Sequence, residues 1–286
     1  MSTSSRRDFL RATATGAAAA CIGLETKELR ADPLGMPIGF QTYPVRDAIA
    51  KDFKGTLERI AGMGYRAVEM CSPPGYAGAG YGPLIGMKPA DMRRTIEDVG
   101  LHCVSCHYQF RELKDHLDER AAFAKKLGLT QMIVAAFGLP AKATLADWKQ
   151  AADDLNKIGE KLRAVGIQCG YHNHDMEFKK LDGALIYDEL MMELDPKLVK
   201  MQFQVAVIHL GFEAAPYFTK YPGRFISLHL ADWSTEAKRT VAIGKGIVDW
   251  KQLFAAARTG GVENYFVELN RDLLQDSAAY LHGLKE

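Results

Sequence analysis

The sequence predicts a (β/α)8 TIM barrel, an α/β fold, because short apolar runs alternate with amphipathic stretches that close on glycine, and the runs number eight. The runs are "IGFQTY" (38–43), "AVEM" (67–70), "HCVSCH" (102–107), "QMIVAAF" (131–137), "IQCGYH" (167–172), "KMQFQV" (200–205), "FISLHL" (225–230) and "YFVELN" (265–270). Each has strand length. Between them "FKGTLERIAGMG", "PADMRRTIEDVG", "ERAAFAKKLG", "ADWKQAADDLNKIGEKLRAVG" and "DWKQLFAAARTGG" repeat apolar residues at three- and four-residue spacing, as a helix with one buried face does. Their terminal glycines suit the left-handed residue that ends a helix. Helices of this length serve as crossovers between parallel strands. An open doubly wound sheet would carry a glycine-rich turn after its first strand, and "GFQTYPVRD" carries none. The barrel is expected over residues 36–286 as one domain, which a 286-residue chain with 48% hydrophobic and 25% charged residues can support.

Residues 1–31 read as a separate segment. "SSRRDFLRATATGAAAACIGL" pairs Arg6 with Arg7, adds Phe9 and Leu10, and runs into an Ala-rich stretch. This resembles the twin-arginine export signal, S/T-R-R-x-F-L, at every specified position, and implies delivery of a folded protein to the periplasm or beyond. Cleavage is expected near Ala31, with a lipoprotein-type cut at Cys21 as the alternative. No membrane partner is expected after processing. A formal net charge of +1, with no dense Lys/Arg block in the body of the chain, gives no electrostatic reason to expect nucleic acid. Four cysteines follow the leader: Cys71, Cys103, Cys106 and Cys169. "CVSC" has redox or half-zinc spacing, but regular alternation would send Cys103 and Cys106 to opposite faces of a strand, so structural thiols are expected.

In a barrel the chemistry collects at the C-terminal ends of the strands. Those ends read Gln41, Glu69, His107, the neutral "AAFG", His172 with His174, Gln204, His229 and Glu268. A single histidine in such a place is more often a hydrogen-bonded core residue. Histidine or carboxylate at five of eight ends points to a pocket instead. "GYHNHDMEF" (170–178) is then a site segment, with His172 the last inward residue of the fifth strand.

"GFQTYPVRD", "YHNHDMEF", "DPKLVKMQFQV", "KYPGRFISLHLAD", "IGKGIVDW" and "YFVELNRD" together resemble the xylose isomerase-like TIM-barrel family of sugar isomerases and epimerases, which includes inosose dehydratases. The resemblance runs from about Ile38 to the C-terminus. It implies a divalent metal, Mn, Mg, Co or Zn, held by strands five to eight, here through His172, Gln204, His229 and Glu268. Two imidazoles and a carboxylate suit such an ion and leave positions for substrate oxygens. Gln204 stands where relatives usually carry Asp, and its neutral amide leaves the site one negative charge short. Ala231 and Lys245 also depart, from the Lys of "LHLKD" and the Glu of "GEG".

Isomerisation or epimerisation needs a base near the carbon, a group that returns the proton, and an electrophile for the enediolate oxygen, a role the metal fills. Glu268 is the candidate that both ligates and meets the reacting proton, with Glu177 or Lys245 acting from the other side. Gln41, Glu69, His107, His174 and Trp233 are the candidate sugar binders, and Phe40, Tyr43 and Tyr108 are further candidate apolar walls. "SPPGYAGAGYGP" (72–83) is either a lid or a passive insertion. The leading function is an exported isomerase or epimerase for a small sugar or keto-sugar. A lyase or hydrolase acting on an oxidised sugar or cyclitol shares the first proton transfer, and a sugar-binding barrel without turnover is a third reading, motivated by Gln204. Nothing in the sequence sets an oligomeric state, so a homo-oligomer stays open.

Overall fold

The computed structural model describes residues 32–284, and the expected export segment, with Arg6 and Arg7, lies outside the described residues. All eight apolar runs form strands: β1 (Gly39–Gln41), β2 (Ala67–Cys71), β3 (His102–Tyr108), β4 (Gln131–Val134), β5 (Gln168–His172), β6 (Val199–Gln204), β7 (Phe225–Leu230) and β8 (Asn264–Val267). They pair in parallel, each with its neighbours in the chain, and β1 closes on β8. Parallel pairing demands crossovers, and helices supply them on the outside. These are α1 (Arg46–Lys51), α2 (Phe53–Gly62), α3 (Pro89–Asp98), α4 (Phe110–Leu127), α5 (Leu145–Ala164), α6 (Ile186–Glu193), α7 (Ala214–Lys220), α8 (Trp250–Gly260) and α9 (Arg271–Gly283).

Local chemistry sets where these helices begin and end. Asp52, Thr144 and Asp249 accept backbone N–H bonds as N-caps of α2, α5 and α8. Gly128 and Gly261 end α4 and α8 at φ 96° and 88°, where a side chain would be strained. Helix α4 starts earlier than "ERAAFAKKLG" suggested, because Phe110, Leu113 and Leu117 extend its buried face, and it kinks at His116.

Alternation along the strands divides the molecule into two chemistries. Facing the helices, Val68, Met70, Met132, Val134, Tyr171, Met201, Phe203, Leu228 and Tyr265 are buried against residues such as Leu57, Met92, Leu113 and Leu155. Each large side chain so buried contributes roughly 1.5–3 kcal/mol, so the apolar stability resides in this outer shell. The inner face is different. Barrels of this type are normally filled with branched apolar residues, but here Gln41, Glu69, Ser105, His107, Gln131, His172, Gln202, Gln204, Ser227 and His229 are buried there. That interior has to be held by hydrogen bonds.

One irregularity matters for the thiols. Val68 pairs with Cys103 but Glu69 pairs with Ser105, so Val104 is an extra residue in β3. The bulge breaks the alternation on which the opposite-face expectation rested. Cys103 shares a cavity wall with Arg93 and Ile96, and Cys106 with Met92 and Leu127, so both lie toward the helices. Both are free thiols, and burial pushes their pKa values up, that of Cys103 to about 12. They remain structural, as expected, for a corrected reason.

Candidate active site

At the centre of the barrel lies Glu69 of β2, fully buried and surrounded by donors. Its Oε1 accepts from Ser105 Oγ at 2.5 Å and Gln202 Nε2 at 2.8 Å. Its Oε2 accepts from Gln41 Nε2 at 2.7 Å and His229 Nε2 at 2.5 Å, and lies 3.1 Å from His107 Nε2. Burial pushes its pKa up, but His107 and His229 beside it outweigh that and hold it well below the usual carboxylate range. Glu69, expected to bind sugar, is instead a sealed counter-charge beneath the site. The direction of the Gln41 amide follows from its neighbours. Gln41 Oε1 accepts from Tyr43 N and from Thr42 Oγ1, and Thr42 Oγ1 in turn accepts from Tyr81 OH at 2.8 Å, so Nε2 is left to face Glu69. Tyr81 and Leu84 are buried in the 72–86 segment, which is thus packed onto the end of β1.

Gln202 of β6 orders the histidines. Its Nε2 donates to Glu69 Oε1 and to Ser227 Oγ, so its Oε1 is the acceptor for His107 Nε2 at 2.6 Å and His172 Nδ1 at 2.9 Å. Those two nitrogens therefore carry protons. The other nitrogen of each ring, His107 Nδ1 and His172 Nε2, keeps its lone pair in the neutral form. Burial first, then the neighbouring histidines, hold the His172 pKa well below its usual value, so it stays neutral. His229 is the opposite case. It lies between two carboxylates, with Nε2 on Glu69 and Nδ1 3.0 Å from Glu268 Oε2. Burial works against its charge, but Glu268 and Glu69 outweigh it and raise its pKa to about 9.

Glu268 follows β8 at the open end of the cluster and is 18% exposed, against 0% for Glu69. Burial raises its pKa, yet His229, with His107 and His174, brings it below the ordinary value. Gln204, expected as the strand-six metal ligand, has another role. Its Nε2 donates to Glu268 Oε2, and its Oε1 accepts from Ala206 N at 3.1 Å as the cap of the following turn. The amide oxygen is engaged, so Gln204 serves as a donor to Glu268 in place of the expected ligand. Among the described residues the groups that can hold a metal are His107, His172 and His229, whose offered atoms all lie within 4.8 Å of one another. The neutral rings of His107 and His172, held in place by Gln202, with Glu268 beside His229, form a donor set that fits Zn²⁺ or a similar ion, and His229 completes it on releasing the proton it holds between Glu69 and Glu268. His107, expected among the sugar binders, joins His172 and His229 in that set.

The remaining expected residues divide between rim and scaffold. His174 stands with its ring 4.7 Å from that of His172. Trp233 packs against His209 on the rim, 5.3 Å between rings. Lys245 is exposed in the loop that follows β7. Glu177 does not join the cluster: Oε1 accepts from Tyr171 OH at 2.5 Å and Oε2 from His174 N at 2.8 Å, so both oxygens brace the segment after β5. Phe40 packs on Tyr65 and Tyr108 is buried on the helix side, so neither walls a sugar ring. Sequence reasoning passed over Ser105, Gln202 and Ser227, one layer deeper than the strand ends, although Gln202 shares the period-two face of Gln204 in "KMQFQV". It also passed over Asp232. That buried carboxylate accepts from Trp233 N and Val248 N on Oδ1, and from Gly244 N, Gly246 N and Trp250 Nε1 on Oδ2, which pins the Lys245 loop. Only glycine fits at 246, where a Cβ would come 2.1 Å from Asp232 Oδ1.

Comparison with known proteins agrees with this architecture. An inosose dehydratase from Lacticaseibacillus casei is 22% identical over 240 residues, which span 71% of this chain and 80% of that protein. A sugar phosphate isomerase/epimerase from Parabacteroides distasonis ATCC 8503 superposes with a TM-score of 0.74 at 23% identity, covering 86% of this chain and 93% of that one. The IOLI protein, solved with a binding zinc atom, superposes at 0.64 and 13% identity over 87% of this chain and 94% of its own. The profile of one family, described as xylose isomerase-like TIM barrel, matches residues 57–284. With a closed eight-stranded barrel gathering histidines and carboxylates at its C-terminal mouth, this chain belongs to the xylose isomerase-like TIM-barrel family.

Proposed function

We propose that the protein is a sugar isomerase or epimerase that moves a proton at the carbon beside the carbonyl of a small sugar or keto-sugar, assisted by a divalent metal. The observation that carries this reading is the contrast between two carboxylates. Glu69 is sealed and saturated, whereas Glu268 is partly open to the barrel mouth and ionised beside a histidine. His107, His172 and His229, with Glu268, would hold the metal. When bound, the ion polarises the substrate carbonyl and offsets negative charge on its oxygen.

The protein's own groups account for the rest. Glu268 accepts the proton, and the Gln204 amide, donating to Oε2, keeps the carboxylate turned toward His229. Gln202 fixes which nitrogen of His107 and of His172 is protonated. Glu69 balances the positive charge above it without meeting substrate. His174, on the rim, can donate to and accept from a sugar hydroxyl.

A dehydratase is the second reading, favoured by the inosose dehydratases among the relatives. The first step is the same, and loss of a hydroxyl then needs a general acid, which the Glu268 carboxyl, protonated in that first step, can supply. Mass analysis of the product from a panel of sugars and keto-sugars separates the two. An isomer of unchanged mass supports the leading reading, and a product lighter by one water supports the second. Activity that survives Glu268→Gln undiminished would reject both, since a general base contributes roughly 10²–10⁴ in rate.

A further inference from the structure

The floor of the barrel, at the opposite end from the histidines, is polar as well. Gln131, Gln168 and Lys200 each stand an even number of residues before an inward-facing position, Ile133, His172 and Gln202 respectively, and therefore share the inner face. With Arg163 and Glu263 they line a cavity of about 360 Å³. Gln131 is only 2% exposed, and its Oε1 has no hydrogen-bond partner among the described residues. Lys200 sends Nζ to Gly223 O at 2.6 Å, which uses one of three N–H donors. Burial and then the nearby Arg224 lower its pKa, against the Glu263 carboxylate, which raises it, and a further anion beside the ammonium would act in the same direction as Glu263.

We propose that this cavity is a second small-molecule site, for a hydroxylated carboxylate such as a sugar acid, with the carboxylate on Lys200 and Arg163 and a hydroxyl on Gln131. A hydroxyl both donates and accepts, so it satisfies the Gln131 amide in either orientation. The floor site is independent of the chemistry assigned to the mouth, and either assignment can fail alone.

The test is calorimetric titration of the full protein with sodium D-gluconate at low ionic strength, with D-glucitol and sodium acetate as probes lacking one feature each. Gluconate is expected to bind in the millimolar range, and each partial probe about tenfold more weakly, a difference of about 1.4 kcal/mol. Lys200→Met and Gln131→Leu should weaken gluconate by a similar factor, while His229→Asn at the mouth should leave it unchanged. Arg163 is exposed near the end of α5, so Arg163→Gln should keep the fold and still weaken gluconate severalfold. Absence of gluconate binding up to about 50 mM overturns the proposal. So does acetate binding as tightly as gluconate, or gluconate binding lost in His229→Asn but kept in Lys200→Met and Arg163→Gln.

Discussion

Gln204 and His229 both donate to Glu268, and a change at either alters the charge beside it. Gln204→Asp turns a donor into an anion at the mouth. In the metal-free protein this places two carboxylates side by side, and a dication relieves the repulsion. Metal binding should therefore tighten by about tenfold or more, read by competition with a chelating dye. Unchanged affinity would place the metal elsewhere. His229 gives a pH signature. Its pKa rises from an ordinary 6.5 to about 9 on folding, so the folded state holds the proton more tightly. The resulting stability is complete below pH 6.5 and is lost as pH rises through about 9. Thermal unfolding of metal-stripped protein should show that decline, and His229→Gln should flatten it. An equal decline in the variant would mean that the carboxylate–imidazolium–carboxylate arrangement does not form.

Two loops differ in how they are held, and the difference is an element-scale matter. The 72–86 segment is secured by packing, through buried Tyr76, Tyr81 and Leu84, with one hydroxyl chain reaching Gln41. The loop after β7 is held by polar contacts: Asp232 alone accepts five N–H groups from Trp233 to Trp250. Asp232→Ala removes the acceptor for all five at once. The expected cost is about 3 kcal/mol or more, a fall in melting temperature of roughly 6–12 °C for a domain of this size. Differential scanning calorimetry measures it directly. A loss below about 1 kcal/mol would show that water replaces the carboxylate at little cost and that the loop is not organised by it.

For the whole molecule, the path from sequence to barrel was short. Apolar runs of strand length, helical spacing and glycine stops such as Gly128 and Gly261 are local signals, and each marks its element without tertiary help. The site was legible one layer deep. Strand-end residues pointed to the mouth, but Ser105, Gln202 and Ser227 lie below them in an interior expected to be apolar, and were missed for that reason. Other features arise only on folding. The bulge at Val104 depends on pairing with β2, the direction of the Gln204 amide depends on Ala206 and Glu268, and the partner of Glu177 is the outward-facing Tyr171. Both proposed reactions begin with proton removal beside a carbonyl at the barrel mouth. NMR of sugars and keto-sugars in D₂O with metal-loaded protein tests that step without knowledge of the product. Deuterium should enter at a carbon next to the carbonyl with the native protein and fail to enter with Glu268→Gln. Absence of uptake across the panel with the native protein, or uptake undiminished in Glu268→Gln, would contradict the account.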